Sequence, residues 1–280
     1  MKKHILNLTL SIFLLVLILL VFVPYFTSDF LNLRQKKENE ENYQKLLKEE
    51  ETRKEAEKNY LTGKFDPSQR EDFVLIPPQY VLGGNKMYLR KETLDAFLKM
   101  AERANEDKID LKIASATRNF DYQKDIWNKK WFGIIIVDGE DLLKSIPDEQ
   151  ERFKKILEYN AIPGTSRHHW GTDIDINRVN PLYSGNERDN VEREKIYAWL
   201  SKNAFQFGFC QTYTPKGINR KIGYKEERWH WSYLPLSQNF TREYKKLIKD
   251  EDIKGFEGDE YVPSFDLIND YVLAINPDCL

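Results

Sequence analysis

The sequence predicts an α+β domain behind a long helical N-terminus. Residues 5–23, ILNLTLSIFLLVLILLVFV, are apolar except for Asn7, Thr9 and Ser11. Residues 34–58 carry charges of both signs with no proline or glycine. Beyond about residue 60, helical periods and short strand patterns follow one another without the regular alternation of a doubly wound sheet.

The first segment is long enough for a membrane span, since about 20 apolar helical residues cross the hydrocarbon core. It exceeds the apolar stretch of a cleaved signal peptide, and the following PYFTSDF offers no small-x-small site. An uncleaved transmembrane anchor is therefore expected over 1–27. Lys2 and Lys3 precede it, while Arg34, Lys36 and Lys37 follow, so charge asymmetry orients it only weakly. Residues 28–59 suit a solvated helix with i,i+4 ion pairs, a stalk of roughly 35–40 Å.

The folded domain is expected over 60–280. Leu94, Phe97, Leu98 and Ala101 recur at helical spacing, predicting an amphipathic helix over 88–107. Residues 109–116 alternate as a strand. A helix is expected to open near Asp121, with Trp127 and Trp131 read as core, and another over 148–159. Residues 193–209 are helical in their first half, WHWSYL reads as a strand, and a last helix is expected at 265–275.

The net charge of −2 gives no global basic field, so no nucleic-acid partner is expected. Nothing in the sequence sets an oligomeric state. Cys210 and Cys279 form neither a disulfide framework nor a cysteine zinc cluster, and one bridge or two free thiols suit the sequence equally.

The chemistry concentrates in SRHHWGTDIDI, residues 166–176. The chain has four histidines: His4, His168, His169 and His230. Ile174 and Ile176 alternate with Asp173, Asp175 and Asn177, so a strand turns the isoleucines to a core and both aspartates to its other face. Catalytic zinc sites usually keep three protein ligands and one open position. His168, His169, Asp173 and Asp175 are local candidates for about two of those ligands. His230 remains to complete the set. Glu227, three residues earlier, is a carboxylate suited to general-base work beside a metal-activated water. Residues three apart point to opposite faces of a regular strand, so Glu227 has to sit on a turn or bulge.

Together these motifs resemble the VanY-type D-alanyl-D-alanine carboxypeptidases, zinc peptidases that trim peptidoglycan stem peptides. Ser166, His168, Gly171 and Asp175 match one family motif; Glu227, Trp229 and His230 match a second; SATRNFDYQ supplies Ser115, Arg118 and Gln123 for a third. The resemblance covers about 60–240. It implies a small antiparallel sheet carrying Zn2+ on His168, Asp175 and His230, with Glu227 as catalytic base. Arg118 is implied to bind the substrate carboxylate or the developing oxyanion. Ser115, Gln123, Ser166 and Asp173 are the expected substrate contacts. Asp173 stands where Ala is common in the family, and it reads equally as an outer partner of the metal site, a contact to a substrate ammonium, or a solvated strand residue. His169 is read as structural or as a pocket wall.

The expected reaction is zinc-dependent release of terminal D-alanine, with an L,D-carboxypeptidase or endopeptidase of the same fold as the neighbouring reading. A non-catalytic wall-binding module is the rival of another class, and the presence of Glu227 speaks against it. His-Glu-x-x-His, Ser-x-x-Lys and Gly-x-Ser-x-Gly are all absent. Because peptidoglycan lies outside the cytoplasmic membrane, the resemblance implies a membrane-anchored chain with its catalytic domain on the outer side.

Overall fold

The computed structural model describes every residue except Met1, Tyr159 and 179–186; for 2–11 and 21–29 it describes the backbone alone. The chain divides into two units, Met1–Glu55 and Ala56–Leu280. Helix α1 runs Lys2–Leu61 and accounts for all described residues of the first unit. Its exposed charges pair one turn apart, Arg34 with Glu38 at 3.0 Å and Lys54 with Glu50 at 2.7 Å. Such solvated pairs contribute little to stability. Among the described residues no helix is long and apolar enough to cross a membrane. The apolar run at 5–23 falls mostly on residues whose side chains lie outside the described set.

In the second unit, β1 (Phe73–Leu75) pairs antiparallel with β2 (Tyr88–Arg90). That strand takes the first residues of the segment expected to be helical, and α2 follows at Lys91–Glu106. Its inner face buries Leu94, Phe97, Met100, Ala101 and Ala104. Full burial of a side chain as large as Phe97 stabilises by about 1.5–3 kcal/mol. After β3 (Ile113–Ser115) comes α3 (Phe120–Trp131), whose start is fixed by Asn119 Oδ1 accepting from the Tyr122 amide at 2.9 Å. Short α4 (Leu142–Ser145) leads to α5 (Glu149–Leu157), capped in the same way by Asp148. Strand β4 (Asp173–Ile176), helix α6 (Glu187–Asn203), β5 (Phe209–Tyr213), β6 (Glu227–Tyr233) and α7 (Leu234–Leu247) complete the regular elements.

Helix α7 has no counterpart among the sequence expectations; it starts directly after β6 with Pro235 in its first turn, where the missing N–H costs nothing. The last helix, expected at 265–275, is a single π-turn at Ile268–Val272. Leu267 and Val272 are both buried and five residues apart, a spacing that an α-helix does not bring to one face.

The larger sheet has the order β3-β4-β6-β5, antiparallel throughout. Ile174 pairs with Trp231 and Ile113 with Ile176, and these side chains form one core with α2 and with Trp199 and Leu200 of α6. A second core gathers Trp127, Trp131, Phe153, Trp170 and Tyr244 with the C-terminal segment. Cys210 and Cys279 are joined in a disulfide, which fastens that segment to β5.

Candidate metal centre

Strand β4 delivers its side chains as the alternation demands: Ile174 and Ile176 enter the core, and Asp173 and Asp175 face the other way. Cross-strand register sets Asp175 opposite His230 of β6 and, on the other side, opposite Ser115 of β3. His168 comes from a 3-10 turn, Arg167–Trp170, that enters the strand through Gly171 at φ 70. A Cβ on Gly171 would lie 2.4 Å from the Phe73 ring, so both backbone conformation and packing require glycine there.

One ligand atom from each of His168, Asp175 and His230 lies within 4.8 Å of the others, and all three residues are buried. His168 Nδ1 lies 2.9 Å from the Ala116 carbonyl and donates to it, leaving Nε2 to face Asp175 at 3.4 Å. His168 Nε2 and Asp175 Oδ1 are buried with no hydrogen-bond partner. Buried orphan lone pairs are costly, and two of them converging on one point fit a cation. Two imidazoles and a carboxylate are a donor set for Zn2+ with a fourth position left open.

Burial and the Arg118 charge push His168 down to about 4, which keeps its lone pair free at neutral pH. Burial lowers His230 as well, but the carboxylates of Asp173, Asp175 and Glu227 around it outweigh it and raise His230 well above the usual imidazole range. Burial raises Asp175, yet the His168 and His230 interactions hold it well below the usual carboxylate range.

Glu227 reaches this group through a register break. Gln211 pairs with Trp231, but Tyr213 pairs with Glu227, so β6 carries extra residues opposite β5. That bulge turns Glu227 toward the His230 side, with Oε2 3.3 Å from His230 Nδ1. Arg118 donates from Nη1 to Gln123 Oε1 at 3.0 Å and from Nη2 to Asp175 Oδ2 at 3.3 Å, while its Nε has no protein partner. The cleft is walled by His168, Asp175, His230, Glu227, Arg118 and Ser166, together with Arg178, Asn160, Tyr213 and Tyr224. Lys130 bonds to Asn160, and burial with the Arg178 and Arg118 charges pushes its ammonium down to about 7.

Of the four expected substrate contacts, Ser166 lines the cleft. Ser115 stands in register beside Asp175 but outside the cleft wall. Gln123 is buried, and its amide is spent on Arg118 and on the Ala161 carbonyl at 2.6 Å. Asp173 is fully buried behind His230, with both oxygens engaged by protein donors, so it has no access to substrate. His169 contributes no metal-facing atom. Its Nδ1 donates to the Arg118 carbonyl at 2.6 Å, and its Nε2 accepts from the Gly164 amide at 3.0 Å. Gly63 makes room for this ring, since a Cβ there would lie 2.3 Å from Nδ1. The wall residues Arg178, Tyr213 and Tyr224 went unpredicted; for Arg178 alone a signal existed, its place two residues past β4.

The model of the D-alanyl-D-alanine carboxypeptidase family VanY matches residues 86–236. The chain is 29% identical over 195 residues to the putative carboxypeptidase YodJ of Bacillus subtilis, covering 69% of this chain and 61% of that protein. It is 36% identical over 76 residues to a D-alanyl-D-alanine carboxypeptidase of Enterococcus faecalis, covering 27% of this chain and 25% of that one. Both matches thus span less than two thirds of the relatives' own length. Among solved structures, a vancomycin resistance D,D-pentapeptidase VanY from a VanB-type resistance cassette, in complex with Zn(II), matches with a TM-score of 0.42 and 25% identity, covering 64% of this chain and 94% of that one.

Proposed function

The chain belongs to the VanY D-alanyl-D-alanine carboxypeptidase family, and from that premise we propose that it hydrolyses the terminal peptide bond of peptidoglycan stem peptides, releasing D-alanine. The observation that carries this is the convergence of His168, Asp175 and His230 on one point, with Glu227 3.3 Å from His230 in the same cleft.

The three residues would hold Zn2+, which when bound supplies Lewis acidity toward the scissile carbonyl and a water acidified to near neutrality. Glu227 takes the proton of the attacking water and returns it to the departing amine. Arg118, held by Gln123 and with one nitrogen uncommitted, donates to the developing oxyanion. Arg118 and Arg178 both stand in the cleft wall and favour an anionic group there. A free C-terminal carboxylate is such a group, which supports a carboxypeptidase over an endopeptidase.

The proposal extends to location: an anchor at 1–27, a stalk at 28–59, and a peptidase domain at 60–280 on the outer side of the membrane. The Cys210–Cys279 bridge supports this, because disulfides persist in oxidising compartments. The test is to incubate the zinc-loaded chain with muropeptides ending in D-Ala-D-Ala and with the matching tetrapeptides, and to weigh the products. Loss of one D-alanine from the pentapeptide is expected. No cleavage of either substrate would sink the proposal, and cleavage of the tetrapeptide alone would replace it with an L,D activity.

A further inference from the structure

Behind the metal-facing side of His230 lies a closed polar network. Asp173 Oδ2 lies 3.0 Å from His230 Nε2 and accepts from Arg167 Nε at 3.1 Å. Its Oδ1 accepts from the hydroxyls of Thr172 and Ser232, both at 2.8 Å. Arg167 is fixed in turn, donating to Thr241 Oγ1 at 2.9 Å and to Ser232 Oγ at 3.0 Å. Arg167, Asp173 and Ser232 are all fully or almost fully buried.

Arg167 Nε and the hydroxyls of Thr172 and Ser232 all donate to Asp173. A carboxylate so placed accepts only, so the proton between it and the imidazole sits on His230 Nε2. In the neutral ring that a metal requires, the other nitrogen, Nδ1, keeps its lone pair on the side of Asp175 Oδ1, 3.3 Å away. A neutral imidazole without this partner would divide between two tautomers, and only one of them offers Nδ1 to a metal.

We infer that Asp173 is a positioning residue for the metal centre: with Arg167 behind it, it locks His230 in the Nε2–H tautomer and the ring orientation in which Nδ1 is a zinc ligand. The inference rests on the zinc reading of the site and adds a residue that no ligand set contains. Partners of this kind typically alter metal affinity by about 10–100-fold. Thr241 serves as the control. It touches Arg167 but not Asp173 or His230, so removing its hydroxyl disturbs the network without touching the Asp173–His230 bond.

The test uses the full chain stripped of metal and titrated with zinc against a chromophoric chelator. Asp173→Asn is expected to raise the zinc dissociation constant about 10–100-fold, and Thr241→Val to leave it within about twofold. The absorption bands of the Co(II)-loaded protein should shift in the first variant and not in the second. Equal zinc affinity in Asp173→Asn and the parent would overturn the inference, as would an equal loss in Thr241→Val. A second measurement needs no variant: the ring nitrogen resonances of His230 in the zinc-loaded parent should show Nε2 protonated. A proton on Nδ1 would refute the assignment even if Asp173→Asn failed to fold. A parent that binds zinc tightly but cleaves no muropeptide would remove the proposed activity and leave this inference standing.

Discussion

Glu227 and His230 lie three residues apart on one strand, yet Glu227 Oε2 stands 3.3 Å from His230 Nδ1. A regular strand would send them to opposite faces. The register break between Gln211 and Tyr213 is what reconciles them. The bulge places a carboxylate beside a proposed metal ligand, which is the arrangement a general base requires.

Replacing Glu227 by Gln removes the base and keeps the shape. Zinc content measured by elemental analysis should stay at the parent level, while turnover of a D-Ala-D-Ala peptide should fall by about 10²–10⁴-fold. Parental turnover would remove Glu227 from the mechanism.

Arg118 depends on Gln123 for its orientation, through the 3.0 Å bond from Nη1. Gln123→Ala should lower kcat/KM by about ten- to a hundredfold through misplacement of the guanidinium, with zinc affinity unchanged. Should zinc be lost together with activity, Gln123 would be supporting the whole turn and not Arg118 in particular.

His169 is wired for the neutral state only, with Nδ1 donating and Nε2 accepting. Burial holds its pKa down to about 3, against an ordinary value of about 6.5. Between those values the unfolded chain binds a proton there and the folded chain does not. Its contribution to stability is therefore complete above about pH 6.5 and is lost as pH falls toward 3. Urea unfolding of the parent should weaken across that window, and His169→Gln should show a shallower decline. Identical slopes would show that His169 is not the titrating group.

The disulfide closes a separation of 69 residues. Chain-entropy reasoning assigns such a loop about 4 kcal/mol. Replacing both cysteines by serine should lower unfolding free energy by up to that amount in denaturant titrations, while the zinc ligands, none of which lies in the C-terminal segment, stay in place. Unchanged stability would mean that Tyr244, Ile248 and Val272 anchor that segment unaided.

The site was legible where its logic is local. Seven residues separate His168 from Asp175, and the alternation in DIDI fixed both the strand and its acidic face. The mismatch in parity between Glu227 and His230 calls for a bulge from the sequence alone. Long-range partners left no such trace. Ser232 lies 59 residues from Asp173 and Thr241 lies 74 from Arg167, and only folding brings each pair together. That is why Asp173 reads from the sequence equally as an outer partner of the metal site, a substrate contact or a solvated residue, while the structure buries it behind the histidine. Helix α7 escaped notice because it begins at a strand end with a proline, and the π-turn at Ile268 because its buried pair has no 3.6 period.

The bond between Cys210 and Cys279 also constrains the order of events during biosynthesis. All four strands of the larger sheet end by Tyr233, so Cys279 leaves the ribosome after the entire sheet has been made. With two cysteines in the chain, one intramolecular pairing exists, and no mispaired isomer has to be unscrambled. The competing product is a cross-link between two chains, so oxidative folding here is a race between intramolecular closure and chain-to-chain encounter, won by dilution and not by an isomerase.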